Sequence, residues 1–215
     1  MAVAFVSVNG TVVTSATSVT PAMPAGIVAG NLLISECLIK AEKTASISAG
    51  WTIIHQQVQA NMSLATAVRV ATESGDQPTW SWTGNSNANG NVSRLTGAYN
   101  GDPIGNESIA GGVGTTTATA AIVATAASSF MFSQTNALNN QTVPLPSGYT
   151  SDSEFHSVNG SERMSHKNTT DVGDSSGSNS VTITSTTWAS SLIEIRSEAP
   201  PPPAALDRFR ATIIW

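Results

Sequence analysis

The feature that most constrains this chain is a repeat: blocks of residues recur at an offset of 98. Ser48-Ala49-Gly50-Trp51-Thr52 returns as Ser147-Gly148-Tyr149-Thr150, a small residue, a glycine, an aromatic and a threonine. The same offset carries Asn31-Leu32-Leu33-Ile34-Ser35 onto Ser129-Phe130-Met131-Phe132-Ser133, and Glu73-Ser74-Gly75-Asp76 onto Asp171-Val172-Gly173-Asp174. It also sets Leu95 on Ile193. A recurrence of this length implies two similar structural units in one chain. No segment sustains the apolar period of a helix, whereas several alternate apolar and polar residues as half-buried strands do. The expected fold is therefore all-β: an antiparallel, jelly-roll-like β-sandwich of two similar halves, with an extended C-terminal arm. The body spans 1–198, with the repeat at about 20–100 and 115–197, and the Pro-rich arm spans 199–215.

Within the first half, residues 2–8 alternate and end at Asn9-Gly10, a hairpin signal that makes Thr11 to Thr14 the return strand. Leu32 to Ile39 is apolar on both faces and reads as a central strand covered on both sides. Trp51 to Val58, Met62 to Val70, a strand bearing Trp80 and Trp82 on one face, and Val92 to Tyr99 follow, with Asn85 to Asn91 read as a polar loop. The Gly-rich stretch 105–114 reads as the connection between halves. Thr115 to Val123, Ser129 to Thr135, Tyr149 to Val158, Arg163 to Asn168, Val181 to Thr184 and Trp188 to Arg196 build the second half.

Composition narrows the function classes. Apolar residues are 40%, enough for a core, but charged residues are only 11%, so the surface is polar without being charged. That suits a densely assembled β protein, and the apolar content argues against disorder. A net charge of −5 with scattered basic residues speaks against a phosphate-backbone binder, so no nucleic-acid partner is expected. The apolar runs are far shorter than a membrane span, the N-terminus reads as a strand and not a signal peptide, and no membrane partner is expected. The chain is expected to be soluble and made in a cytoplasm. Cys37 is the single cysteine and sits in an apolar run, which fits a buried, inert thiol.

Chemistry-bearing motifs are sparse. His55, His156 and His166 have no close-spaced Cys or His partner, so no metal is expected. A Gly-x-Ser-x-Gly elbow is missing, and Gly-rich 110–114 lacks the lysine of a P-loop. Glu154, Glu162, Asp171 and Asp174 form the main acidic cluster; a weak calcium site is one reading of Asp171-x-x-Asp174, and a solvated turn is the other. No cofactor and no catalytic residue is expected. Among the aromatics, Trp80 and Trp82 are candidates for stacking on a glycan if their strand lies at an edge, against the alternative that they fill the core.

The order Pro24-Ala25-Gly26-Ile27-Val28-Ala29-Gly30-Asn31-Leu32-Leu33-Ile34, then Ala49-Gly50-Trp51-Thr52, then Ala98-Tyr99-Asn100-Gly101-Asp102-Pro103 resembles accessory structural proteins of tailed bacteriophages: capsid decoration proteins, head fibres and tail components. It covers about half the chain directly and the rest through the repeat. The resemblance implies a sandwich that binds a capsid or tail lattice inside a virion, as an oligomer, with no enzymatic activity. The aromatic-rich glycan pocket of a clear lectin is missing. The alternative is a carbohydrate- or receptor-binding module at a tail or fibre tip.

Four prolines, Pro200 to Pro203, hold an extended conformation, and the chain then ends in Ile213-Ile214-Trp215. A free apolar terminus of this kind is an aggregation hazard. The arm is therefore expected to dock by strand addition or apolar anchoring, on a neighbouring chain or on its own body. Its expected partner-binding residues are Pro201, Leu206, Arg208, Phe209, Arg210, Ile213, Ile214 and Trp215. The arginines would pair with acidic surface on a major capsid or tail protein.

Overall fold

The computed structural model describes residues 2–72, 76–157, 159–177 and 179–197. The eight arm residues named above lie outside this set. The described chain is an antiparallel β-sandwich of two sheets. The strands are β1 (Ala4–Val19), β2 (Leu32–Ile39), β3 (Ser46–Ile47), β4 (Thr52–Gln59), β5 (Met62–Val70), β6 (Trp80–Thr96), β7 (Ile104–Thr117), β8 (Phe130–Ala137), β9 (Thr150–Ser157), β10 (Gly160–Asn168) and β11 (Val181–Ile195).

Each half makes one whole sheet, and the two sheets have the same order: β1-β6-β2-β5-β4 in the first and β7-β11-β8-β10-β9 in the second. The short β3 pairs with β6, and the matching sheet order of the second half lacks it. Leu32 is paired with Leu95 and Phe130 with Ile195, so the offset is 98 at β2 and β8 but 100 at β6 and β11. The residue equivalent to Leu95 is thus Ile195, not Ile193. The repeat also begins earlier than expected, because β1 and β7 occupy the same place in the two sheets.

Three sequence expectations change here. Asn9-Gly10 makes no hairpin: β1 runs straight through it, with Asn9 opposite Val92 and Gly10 opposite Asn91. Asn85 to Asn91 is part of β6, where Asn89 and Asn91 are buried and bonded across the sandwich. The Gly-rich stretch 105–114 is strand β7. Two of its glycines answer to close packing: a Cβ on Gly105 would strike the Glu194 carboxylate, and one on Gly111 would lie 2.8 Å from Gln59 Nε2 and 3.0 Å from the Trp188 carbonyl.

The central strands explain the burial. All eight residues of β2 and all eight of β8 are buried, so both faces of each are covered. Leu32, Ile34, Val68 and Leu95 pack against Phe130, Phe132, Met164, Ile193 and Ile195 between the sheets. Behind the first sheet, loops carrying Ile27, Ala45 and Trp51 cover Leu33, Cys37, Ile39, Trp80 and Trp82. Behind the second, Ile122 and Tyr149 cover Met131 and Leu192. The repeated turns use one device twice. Gly50 and Gly148 both take left-handed backbone, φ 86° and 80°, before the buried Trp51 and Tyr149.

Candidate functional site

Trp80 and Trp82 do not form a glycan platform. Trp80 is fully buried and donates from Nε1 to Ser35 Oγ at 2.9 Å, while Trp82 is 7% exposed and donates to the Ala16 carbonyl at 3.1 Å. Sugar stacking needs an open ring face, and both faces here belong to the core. Trp51, Tyr149 and Trp188 are buried as well, and Tyr99 is exposed.

The expected acidic cluster is dispersed. Glu154 pairs with Arg163 at 2.5 Å. Asp174 accepts the backbone N–H groups of Thr170 at 2.9 Å and Asp171 at 3.0 Å, which hold its carboxyl below the usual range. A carboxylate used this way closes a turn, and Asp76 does the same for the Thr72 N–H at 2.7 Å in the first half. Glu162 lies elsewhere, deep between the sheets. The histidines are tied into the frame: His166 stacks on Phe130 at 4.4 Å and meets Asp152 at 2.7 Å, and His156 meets Ser161 at 3.0 Å. His55 is buried near Glu107, and burial lowers its pKa to about 4. Cys37 is buried, and burial raises its thiol pKa.

The group that sequence reasoning missed is a polar belt across the middle of the sandwich. Side chains of β2 at Leu32, Ile34 and Leu38 face the second sheet, and so does Glu36, by the alternation of a strand. Glu36 accepts from Asn136 Nδ2 at 2.6 Å. On β10, Glu162 accepts from Asn91 Nδ2 at 2.8 Å to each oxygen. Burial pushes both carboxyls up, and the Glu162 charge pushes Glu36 further. The signal was in the sequence, as a glutamate in the middle of the otherwise apolar Leu32–Ile39 run.

Glu162 and Asn91 also form the inner end of a pocket of about 250 Å³ that opens between β1 and β9. A second, wider pocket of about 430 Å³ lies between the β4–β5 hairpin and Ile104, with Arg69 and Asp102 among its lining residues. Arg69 is bonded to Asp76 and Asp102 to Arg196 at 2.8 Å, so these charges are already engaged.

Two of the sheet edges are long and nearly uncharged. β1 is 16 residues and β7 is 14, and Glu107 is the one charged side chain they carry. Val6 is 45% exposed on β1, and Val113 is 74% exposed on β7. Bulges interrupt β1, whereas β7 pairs without a break from Glu107 to Gly114. Comparison with family models, curated proteins and solved structures gave no match to this chain.

Proposed function

We propose that the chain is a non-enzymatic virion structural protein, a rigid sandwich body that attaches to a capsid or tail lattice through an added strand and its C-terminal arm. The observation that carries this reading is the β7 edge. Proteins that stay monomeric blunt their edge strands with lysine, proline, bulges or a covering segment. From Glu107 to Gly114 the β7 edge has regular pairing and no lysine or proline, and among the described residues no strand pairs with its outer side. It suits the addition of an extended peptide. The residues after the four prolines, Ala204 to Trp215, are long enough to cover that run. A proline-stiffened approach lowers the ordering cost of such docking. The arm of a second copy or a segment of a lattice protein would fill the same edge.

The test is to delete 199–215 and, separately, to replace Val113 with Lys. Both proteins are expected to keep the melting temperature of the body, and both are expected to lose incorporation into particles assembled in cells with the capsid and tail proteins. Normal incorporation of the truncated chain would sink the proposal.

A further inference from the structure

We propose that the pocket between β1 and β9 is a binding site for a small primary ammonium group carried on a short apolar chain. Its inner end is built from acceptors. Glu162 presents a carboxylate whose two oxygens each receive one bond from Asn91, leaving further lone pairs free. Asn91 is 6% exposed, lines the pocket, and its Oδ1 has no hydrogen-bond partner among the described residues. A buried acceptor left open in this way costs free energy unless a donor reaches it. The Ser153 hydroxyl adds a third acceptor on the same lining. An alkylammonium has three N–H donors and no acceptor, which matches this set.

The outer part of the pocket is apolar and aromatic, with Val8, Phe155 and Met164 in its walls. Phe155 lies against β1 at Gly10. Such a wall suits three or four methylenes, and the ring face adds attraction for a cation. A volume of about 250 Å³ is below that of drug-sized sites, which limits the ligand to a small amine or a single side chain. Anions are disfavoured, since the pocket lining holds a carboxylate and no lysine or arginine.

Charge in the site is set by few groups. Glu162 lines the pocket and Glu36 lies behind it. Asp152 and His166 are bonded to each other at 2.7 Å, and Glu154 is engaged by Arg163. On β6, Arg94 is turned away to the Ala25 carbonyl and Asn31. On β1 no residue titrates.

The experiment is a titration of the full chain, followed by amide NMR, with n-butylammonium, n-butanol and n-butyrate at neutral pH. Saturable shifts at Asn91, Gly10 and Phe155 with n-butylammonium are expected, with n-butanol weaker by about tenfold or more and n-butyrate silent. Glu162→Gln should cost about tenfold in affinity, whereas Glu36→Gln, which leaves the Glu162 charge in place, should retain binding. Lowering the pH until Glu162 takes up its own proton should weaken binding. Nα-acetyl-lysine methylamide, run beside n-butylammonium, distinguishes a lysine side chain of a partner from a free amine as the natural source. Equal binding of n-butanol, unchanged affinity in Glu162→Gln, or no saturable shift up to tens of millimolar would each overturn the proposal. If Glu162→Gln fails to fold, the n-butanol comparison on the unaltered chain and Phe155→Ala, expected to weaken binding, decide it.

Discussion

The two halves share a backbone and differ in how they hold it. At equivalent places on β6 and β11, the residue that ties down the loop before the central strand is Arg94 in one half and Glu194 in the other. Arg94 donates to Asn31 Oδ1 at 2.9 Å and to the Ala25 carbonyl at 2.6 Å. Glu194 instead accepts: from the backbone N–H of Asn106 at 3.0 Å and of Thr125 at 2.6 Å, and from the Ser129 hydroxyl at 2.7 Å. Opposite charges thus perform one task, because a loop offers both donors and acceptors and either can be gathered. Ser35 and Ser133, 98 residues apart, show the same divergence: the first accepts from the Trp80 indole, the second from Asn179 Nδ2 at 2.7 Å. What the halves keep in common is the turn and ladder geometry. What they vary is the chemistry that satisfies it.

That comparison can be broken most severely at Trp80. Trp80→Ala removes a fully buried indole and leaves the Ser35 hydroxyl short of a donor, for an expected loss of about 3–5 kcal/mol. Asn179→Ala, the matching change in the second half, removes hydrogen bonds to Ser133 and Ser190 with little volume, for about 1–3 kcal/mol. Urea unfolding of the two variants checks the order; a larger loss for Asn179→Ala would mean that the halves do not bear load as their packing implies.

The charge-reversed pair comes next. Glu194→Gln turns an acceptor of several bonds into a group that presents an amide to the same N–H donors, and should cost about 1–3 kcal/mol. Arg94→Met should cost less, about 0.5–1.5 kcal/mol, since the Ala25 carbonyl it releases is exposed and can turn to water. Burial raises the Glu194 carboxyl, but bonds from Asn106, Ser129 and Thr125 outweigh it and hold the pKa below its ordinary value. Its stabilisation is therefore present above the ordinary carboxylate range and lost as pH falls through the folded pKa. Glu194→Gln should flatten that acid limb of a stability profile, and Arg94→Met should leave it.

The repeat, the all-β class and the buried central strands were legible because they rest on period and spacing, which a strand writes into its residues. Asn9-Gly10 and Gly105 to Gly114 misled for a common reason. Glycine marks a turn when it relieves the backbone, but it is also paired within strands, as at Gly10, and at Gly105 and Gly111 the side chains of Glu194 and Gln59 take the space of a Cβ. Asn85 to Asn91 misled because interior asparagines look like loop residues until the partner across the sandwich, here Glu162 for Asn91, is known. The pocket was illegible for the same reason: Val8, Asn91, Phe155 and Glu162 come from four strands that only sheet order brings together.

The smallest expected effect is also the most specific. In the second half, Gln134 stands where Glu36 stands in the first, at the same position of the central strand. Glu36→Gln therefore writes the second half's solution into the first. Glutamine can still accept from Asn136 and donate to Glu162, so the fold is expected to persist. Burial raises the Glu36 pKa, and the Glu162 charge raises it further. Folded Glu36 then keeps a proton that the unfolded chain has released, so stability falls as pH rises from the ordinary carboxylate range through the folded pKa. Glutamine has no proton to lose. The variant should match the parent near pH 4 and exceed it in thermal midpoint near pH 8, with the difference opening between those limits. A variant less stable than the parent at pH 8 would mean that the Glu36 carboxyl itself, and not merely the shape of the residue, holds the belt together.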